Sequence, residues 1–187
     1  SLMDWPIDGK EMARWYARAE NHMGTTGTNV IPRLPGNNNY KVLAAGAKNM
    51  GYKNFHTGNM SINYQPRVGQ GAGVQIGFCF QGCKSGDKWS SGYVSIPKGE
   101  ANGKLECRSN SQVIKIEHDK NGKVKGVVYA DKDGKIHKQQ ARIVCVAGNS
   151  IESPRLLLNS ESSMFKNGLA NSSGQVGRNY MRHMTAS

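Results

Sequence analysis

The stretch that most constrains this chain runs from Ala141 to Ser160. Ile143-Val144-Cys145-Val146 is a short apolar run without alternation, the pattern of a strand buried on both faces, and it makes Cys145 a small core residue. Ala147-Gly148-Asn149-Ser150 then removes every bulky side chain, so a flat ligand could lie against the backbone there. A helix start follows. Ser153 is placed to cap it, Pro154 suits the first helical position, and Arg155-Leu156-Leu157-Leu158 continues inward. Strand, small-residue turn and capped helix together can set a ligand beside a helix N-terminus at the carboxyl end of a strand. Taken alone, the pattern equally describes an ordinary strand-to-helix connection.

Upstream of that stretch the hydrophobic period changes. From Ile7 to Met23 the apolar residues Met12, Trp15, Tyr16 and Ala19 recur at helical steps, and Gly24 ends the run. Tyr40 to Met50 repeats the pattern and stops at Gly51. Between Tyr52 and Trp89 the chain is rich in Gly, Asn and Gln and carries no clear period, which predicts a long irregular segment. Gly69-Gln70-Gly71-Ala72-Gly73 does not read as a nucleotide loop, because no strand precedes it and no helix start follows. Ser90 to Ile96 fits either a helix or an extended segment.

Near Lys104 the period becomes two. Lys104 to Glu117 predicts a strand that includes Leu105, Cys107, Val113 and Ile116. Asn121-Gly122 and Asp133-Gly134 predict two-residue hairpin turns around strands at Lys123–Ala130 and Lys135–Arg142. The expected class is α+β, an antiparallel β-meander feeding a buried strand, with helices and a long irregular segment before it. The expected division is 1–103 and 104–187.

Net charge bears on partners. The chain has 187 residues and a formal charge of +12 from 25 basic and 13 acidic side chains. Lys115, Lys120, Lys123, Lys125, Lys132, Lys135 and Lys138 alternate with apolar or turn residues, the spacing of solvent-facing strand positions. No zinc-finger spacing or basic helix accompanies them, so nucleic acid is not the expected partner. No run of roughly 18 apolar residues exists to span a membrane as a helix. Of the four cysteines, Cys79 and Cys83 are close enough in sequence to form a buried thiol pair or a local disulfide. Two thiolates are too few for a closed metal site, and no metal is expected. A basic binding module for an anionic partner, and a redox or metal protein built on Cys79 and Cys83, remain as alternative readings.

Ala147-Gly148-Asn149-Ser150-Ile151-Glu152-Ser153-Pro154-Arg155-Leu156-Leu157-Leu158-Asn159-Ser160 resembles the second signature of the glucose–methanol–choline (GMC) flavoprotein oxidoreductases. Asn149 stands where Ala is commoner, and Glu161 where Gly usually follows. Asp4-Trp5-Pro6-Ile7 with Trp15-Tyr16-Ala17-Arg18-Ala19-Glu20 is similar to a helix of that family, and Val176-Gly177-Arg178-Asn179-Tyr180-Met181-Arg182-His183 to a later segment. The resemblance implies oxidation of a CH–OH group of an alcohol or sugar by hydride transfer to FAD. It also implies that residues 104–187 belong to the FAD-binding domain and residues 1–103 to the cap or substrate side. Val113, Ala147, Gly148 and Pro154 then line the adenine side of the cofactor, with the main chain of Val113 holding the adenine. His56 and Asn59 are substrate-side candidates.

Some sugar-oxidising relatives carry an iron–sulfur segment near Cys79, but Gln75-Ile76-Gly77-Phe78 stands where a further cysteine would fall. The family's glycine-rich pyrophosphate loop and its proton-accepting His–His or His–Asn pair have no match here, and His183 is not that base. The sequence is therefore expected to be a piece of a longer protein, inactive alone, weak in FAD binding and prone to self-association. An electron-transfer subunit or cytochrome is the implied protein partner. A bacterial protein, cytoplasmic or membrane-associated in the periplasm, is the implied setting.

Overall fold

A computed structural model describes residues 6–74, 76–79 and 81–182. Asp4 and Trp5 of the first family motif, and His183 of the last, lie outside the described residues. The chain divides into two compact units, Ser1–Cys107 and Arg108–Ser187.

The first unit opens with α1, Gly9–Met23. Asp8 caps it by accepting the Glu11 N–H at 2.7 Å, and Gly24 ends it at φ 66°, a left-handed turn that a side chain would strain. The guanidinium of Arg67 donates to the carbonyls of Asn21 and His22 at that end. The apolar face of α1 is not buried: Trp15 and Tyr16 are exposed, and the guanidiniums of Arg14 and Arg18 lie 5.0 and 5.8 Å from the Trp15 ring centre. α2, Asn38–Asn49, is capped by the Asn37 side chain on the Tyr40 N–H at 2.9 Å.

The segment after α2 is irregular, as its composition predicts. It is held by hydrogen bonds rather than by an apolar core. Fully buried Thr26 exchanges three with the Met60 main chain at 2.9–3.1 Å. Asn63 N–H donates to Asp87 O at 3.0 Å, Trp89 N–H to Ser61 O at 2.8 Å, and Gly73 N–H to Asn63 O at 2.7 Å. Ser91–Ser95 is a π-helical turn running into α3, Ile96–Ala101, so the ambiguous stretch is helical.

The second unit is a meander of β1 (Gln112–His118), β2 (Val124–Ala130) and β3 (Ile136–Gln140), antiparallel and in that order, followed by α4 (Asn149–Asn159). The strand expected from Lys104 starts at Gln112; Leu105 and Cys107 precede it and are exposed. Leu105 instead packs against the Gly99 backbone of α3, where a Cβ would stand 2.7 Å from its Cδ2.

Both hairpin loops are three residues long, not two. Asp119 O accepts from Gly122 N–H and Asp119 N–H donates to Lys123 O, with Gly122 at φ 79°. Asp131, Gly134 and Lys135 repeat this, with Gly134 at φ 76°. Asp-Lys-Asn-Gly-Lys and Asp-Lys-Asp-Gly-Lys are thus one turn used twice, a type I turn closed by a left-handed glycine. The aspartate side chain adds the decisive contacts. Asp119 Oδ1 accepts from the Asn121 and Lys123 N–H groups, and Asp131 Oδ1 from those of Asp133 and Lys135.

The buried strand expected at Ile143–Val146 is corrected. The segment has no regular secondary structure, among the described residues no strand pairs with it, Ile143 is 80% exposed and Cys145 is exposed. An apolar run becomes a buried strand only where neighbours cover both its edges and faces, and the described sheet ends at β3. What α4 packs against is β1. Ser160, with no exposed surface, donates its hydroxyl to Leu156 O at 2.6 Å and accepts the Ile116 N–H at 2.9 Å, beside Ile116 at 3% exposure. No helix among the described residues is long and apolar enough to cross a membrane.

Two outcomes follow from these contacts. Ser160→Ala leaves a buried N–H without its acceptor and should lower stability by about 1–3 kcal/mol in urea unfolding. The second concerns pH. The Lys123 and then the Asn121 amide hold the Asp119 carboxyl below its ordinary range. For Asp131 the hydrogen bond with His137 leads, followed by the Lys135 and Asp133 amides. A depressed carboxylate stabilises the fold above its unfolded value and loses that effect as pH falls through the folded one. Amide protection in both loops should therefore drop as pH falls below about 4. Asp119→Asn, which still accepts the two amides, should remove that pH dependence from the first loop only, as hydrogen exchange will record.

Candidate functional site

β1 is an edge strand, and its register decides what that edge offers. Ile116 lies opposite Val127 and Val113 opposite Tyr129, so Ile114 is an extra residue in β1. The Ile116 N–H points off the sheet to Ser160, while Lys125 O on β2 turns the other way to accept Ala141 N–H at 3.0 Å. In an antiparallel pair the main-chain groups alternate in direction. Val127 and Tyr129 therefore face β3, and the N–H and C=O of Val113 face the open edge. Without the extra Ile114 they would be spent on β2.

Beside that edge the chain returns as the irregular segment 143–147, with Val144 and Val146 half-buried, and turns into α4. The helix begins earlier than expected. Asn149 Oδ1 accepts the N–H groups of Ile151 at 2.8 Å and Glu152 at 3.1 Å, so Asn149 does the capping. The Ser153 hydroxyl instead accepts Gly148 N–H at 2.9 Å, and Pro154 lies inside the helix. The expected cap at Ser153 and first-turn role of Pro154 are thus displaced, because an Asn in the small-residue turn captures the free amides first.

Between β1, residues 144–148 and α4 lies a cleft of about 340 Å³. Val113, Ile114, Val127, Val146, Ala147 and Leu156 give it apolar walls, and Gln112, Glu152, Arg155 and Asn159 a polar rim. Glu152 and Arg155 are ion-paired at 2.9 Å on that rim. The arrangement suits a flat ring system: apolar faces on both sides and a main-chain donor and acceptor at one edge.

Of the expected site residues, Val113, Ala147 and Gly148 meet at this cleft. Pro154 does not; it lines a separate hollow with Ile151, Leu158, Gly177 and Tyr180. His56 and Asn59 belong to the first unit. His56 is exposed, its Nδ1 3.1 Å from Thr57 O. Asn59 Oδ1 accepts from Arg33, whose Nη1 also donates to Thr57 O at 2.8 Å. Glu152, Leu156 and Asn159 were missed, though a helix begun at Asn149 puts them on one face by their spacing. Ile114 and Val127 were missed because nothing local in the sequence marks the bulge.

The cysteine expectation also changes. Cys79 and Cys83 are both free thiols. Cys83 is buried and donates to Asp87 Oδ1 at 2.6 Å, whereas Cys79 is half-buried. Among the described residues no group of three or more His, Cys, Asp or Glu is arranged to hold a metal ion.

Residues 5–185 match the family model described as GMC oxidoreductase. The chain belongs to that family. It is 30% identical over 97% of its length to the 2-methyl-1,2-propanediol dehydrogenase of Mycolicibacterium austroafricanum, covering 35% of that protein. It is 27% identical over 93% of its length to the 6'''-hydroxyparomomycin C oxidase of Streptomyces lividus, covering 34%. To the fructose dehydrogenase large subunit of Gluconobacter japonicus it is 26% identical over 96% of its length, covering 35%. The chain thus spans about a third of the length of these relatives. Family membership favours neither the anionic-partner module nor the cysteine-based redox protein.

Asn149→Ala should loosen the start of α4 by about 1 kcal/mol, whereas Ser153→Ala should cost less, since it frees one exposed N–H to water. Unfolding curves of the two variants, with exchange rates of the Ile151 and Glu152 amides, measure the difference.

Proposed function

We propose that this chain supplies the adenine-side wall of an FAD site in a dehydrogenase or oxidase acting on a CH–OH group of an alcohol or sugar. The observation that carries the reading is the cleft itself: Val113 turned outward by the bulge at Ile114, opposite Ala147 and Gly148. A purine presents apolar faces and an edge carrying both donors and acceptors. The walls of this cleft match the faces, and the Val113 N–H and C=O match the edge. Its volume, about 340 Å³, falls at the small end of the range for ligand sites.

The flavin would act as the hydride acceptor. The residues of this chain bind and orient. Val113 sets the height of the adenine along the sheet edge, Ala147 and Gly148 leave room for close approach, and Leu156 excludes water from the ring face. Ser160 holds the two walls at a fixed separation. The pyrophosphate loop, the flavin-side wall and the group that accepts the alcohol proton are assigned to the other two thirds of a protein of the relatives' length. The printed activities of the relatives support an alcohol or sugar as substrate. The name "large subunit" in one of them supports an electron-accepting partner subunit.

Adenosine titrated into the 187-residue chain should shift the amide resonances of Val113, Ala147 and Gly148, with weak affinity. FMN, which lacks the adenine, should leave them in place, and no alcohol or sugar turnover should accompany either. In the intact protein Gly148→Leu should abolish flavin retention by filling the cleft. Full FAD content in that variant, or equal shifts with FMN, would overturn the assignment.

A further inference from the structure

The first unit holds a second cavity, of about 380 Å³, walled by Leu34, Pro35, Tyr40, Met60 and Ile62 and closed at one side by Gly73 and Asp87. Its wall is apolar apart from a few groups, and most of these are already engaged. Asn37 Oδ1 caps α2 at Tyr40 N–H, and the Thr57 hydroxyl donates to Leu34 O at 2.8 Å. Half-buried Cys79 also lines it, its carbonyl accepting from Lys88 Nζ at 3.3 Å, and the charged group of the lining is the carboxylate of Asp87, which is 3% exposed.

That carboxylate is satisfied on one side only. Its Oδ1 accepts from Cys83 Sγ at 2.6 Å and from Ser85 Oγ at 2.9 Å. Among the described residues neither a hydrogen bond to Oδ2 nor an ion pair to Asp87 is formed. Oδ2 lies beside Gly73, where a Cβ would stand 2.6 Å away. Gly73 and Asp87 both line the cavity, and the missing side chain at 73 leaves room for this oxygen. The Tyr40 ring also lines the cavity and is seated on Gly36, where any Cβ would meet it at 1.9 Å, so an aromatic ring is held in the wall. A buried carboxylate without a cationic partner is costly, and an apolar pocket with one uncommitted anionic oxygen and a fixed aromatic ring selects positive charge.

We propose that this pocket binds an organic cation: a primary or secondary ammonium on an apolar or ring-shaped body. The ammonium donates to Asp87 Oδ2, and the body packs on Tyr40, Met60 and Ile62. The site lies within the first unit and is independent of the cofactor reading. The chain's overall positive charge acts at long range and is screened in physiological salt, so the contact at Asp87 governs selectivity.

The test is calorimetric titration of the full chain with three probes of one shape: benzylammonium, neutral benzyl alcohol and benzoate. Benzylammonium should bind with a dissociation constant on the order of 1 mM or tighter, and at least about tenfold more tightly than benzyl alcohol, with no binding of benzoate. Asp87→Asn keeps the acceptor for Cys83 and Ser85 but puts an NH₂ at the open position. It should weaken benzylammonium at least about tenfold and leave benzyl alcohol unchanged. Should Asp87→Asn fail to fold by thermal unfolding, Gly73→Ala supplies a second reading, because its methyl, 2.6 Å from Oδ2, must displace the carboxylate and should remove the preference for the cation. Equal affinity of the charged and neutral probes, an unchanged preference in the folded variant, or no binding of benzylammonium would each overturn the proposal.

Discussion

The second unit depends on one buried hydroxyl. Ser160 sits at the end of α4, accepts an amide from the edge of β1 and returns its own proton to the helix carbonyl of Leu156. A single donor–acceptor group thereby fixes the helix against the strand edge. An exposed strand edge is otherwise a row of unpaired amides and carbonyls. Here one amide is taken by Ser160, and a few residues earlier the bulge turns Val113 toward the cleft. Leu169 and Gly168 close the other side of the helix end: Leu169 N–H donates to Leu157 O at 2.9 Å, and a Cβ on Gly168 would lie 2.7 Å from Leu158 Cα. The hydrogen bond, the bulge and the small-residue turn are one device. Each brings backbone close to backbone and leaves a slot where side chains would otherwise be.

The first unit solves the same problem without a sheet. Its buried residues include Thr26, Asn63, Asp87 and Cys83, alongside Val94. Cross-connections run from amide to carbonyl between segments far apart in sequence, as between Thr26 and Met60. Such a network is strict about geometry, because a misplaced buried polar group costs more than a misplaced methyl. The glycines at 36 and 73 serve that geometry by letting Tyr40 and Asp87 approach the main chain. The described residues of the long irregular segment are therefore held by specific polar contacts rather than by an apolar core.

The basic surface has a local explanation. Val128, buried at the centre of the meander, is flanked in register by Lys115 and Lys138, and Lys138 reaches Glu117 at 2.6 Å. Long lysine stems can lie beside an apolar residue and still put their charge in water. Lys120, Lys123, Lys132 and Lys135 occupy the two repeated turns, whose aspartates accept the main-chain amides of Lys123 and Lys135.

The amino-acid sequence by itself determined the locally encoded parts. Gly24 marks the end of α1, Gly51 follows α2, and the Asn-Gly and Asp-Gly turns place the meander, since left-handed glycines act within a few residues. The family was legible too, because the Ala147–Ser160 signature and its flanking motifs are contiguous strings. Only the tertiary structure decided the rest. It left Ile143–Val146 unpaired, since burial of an apolar run depends on what lies on both sides of it. The helix start moved to Asn149 because that side chain reached the free amides. Val113, Ala147 and Gly148 came together while Pro154 faced elsewhere, through a bulge that no local pattern announces. The placement of Asp87 against an apolar cavity likewise rests on contacts between segments distant in sequence. Spacing along the chain carries no information about such contacts until the backbone has brought them together.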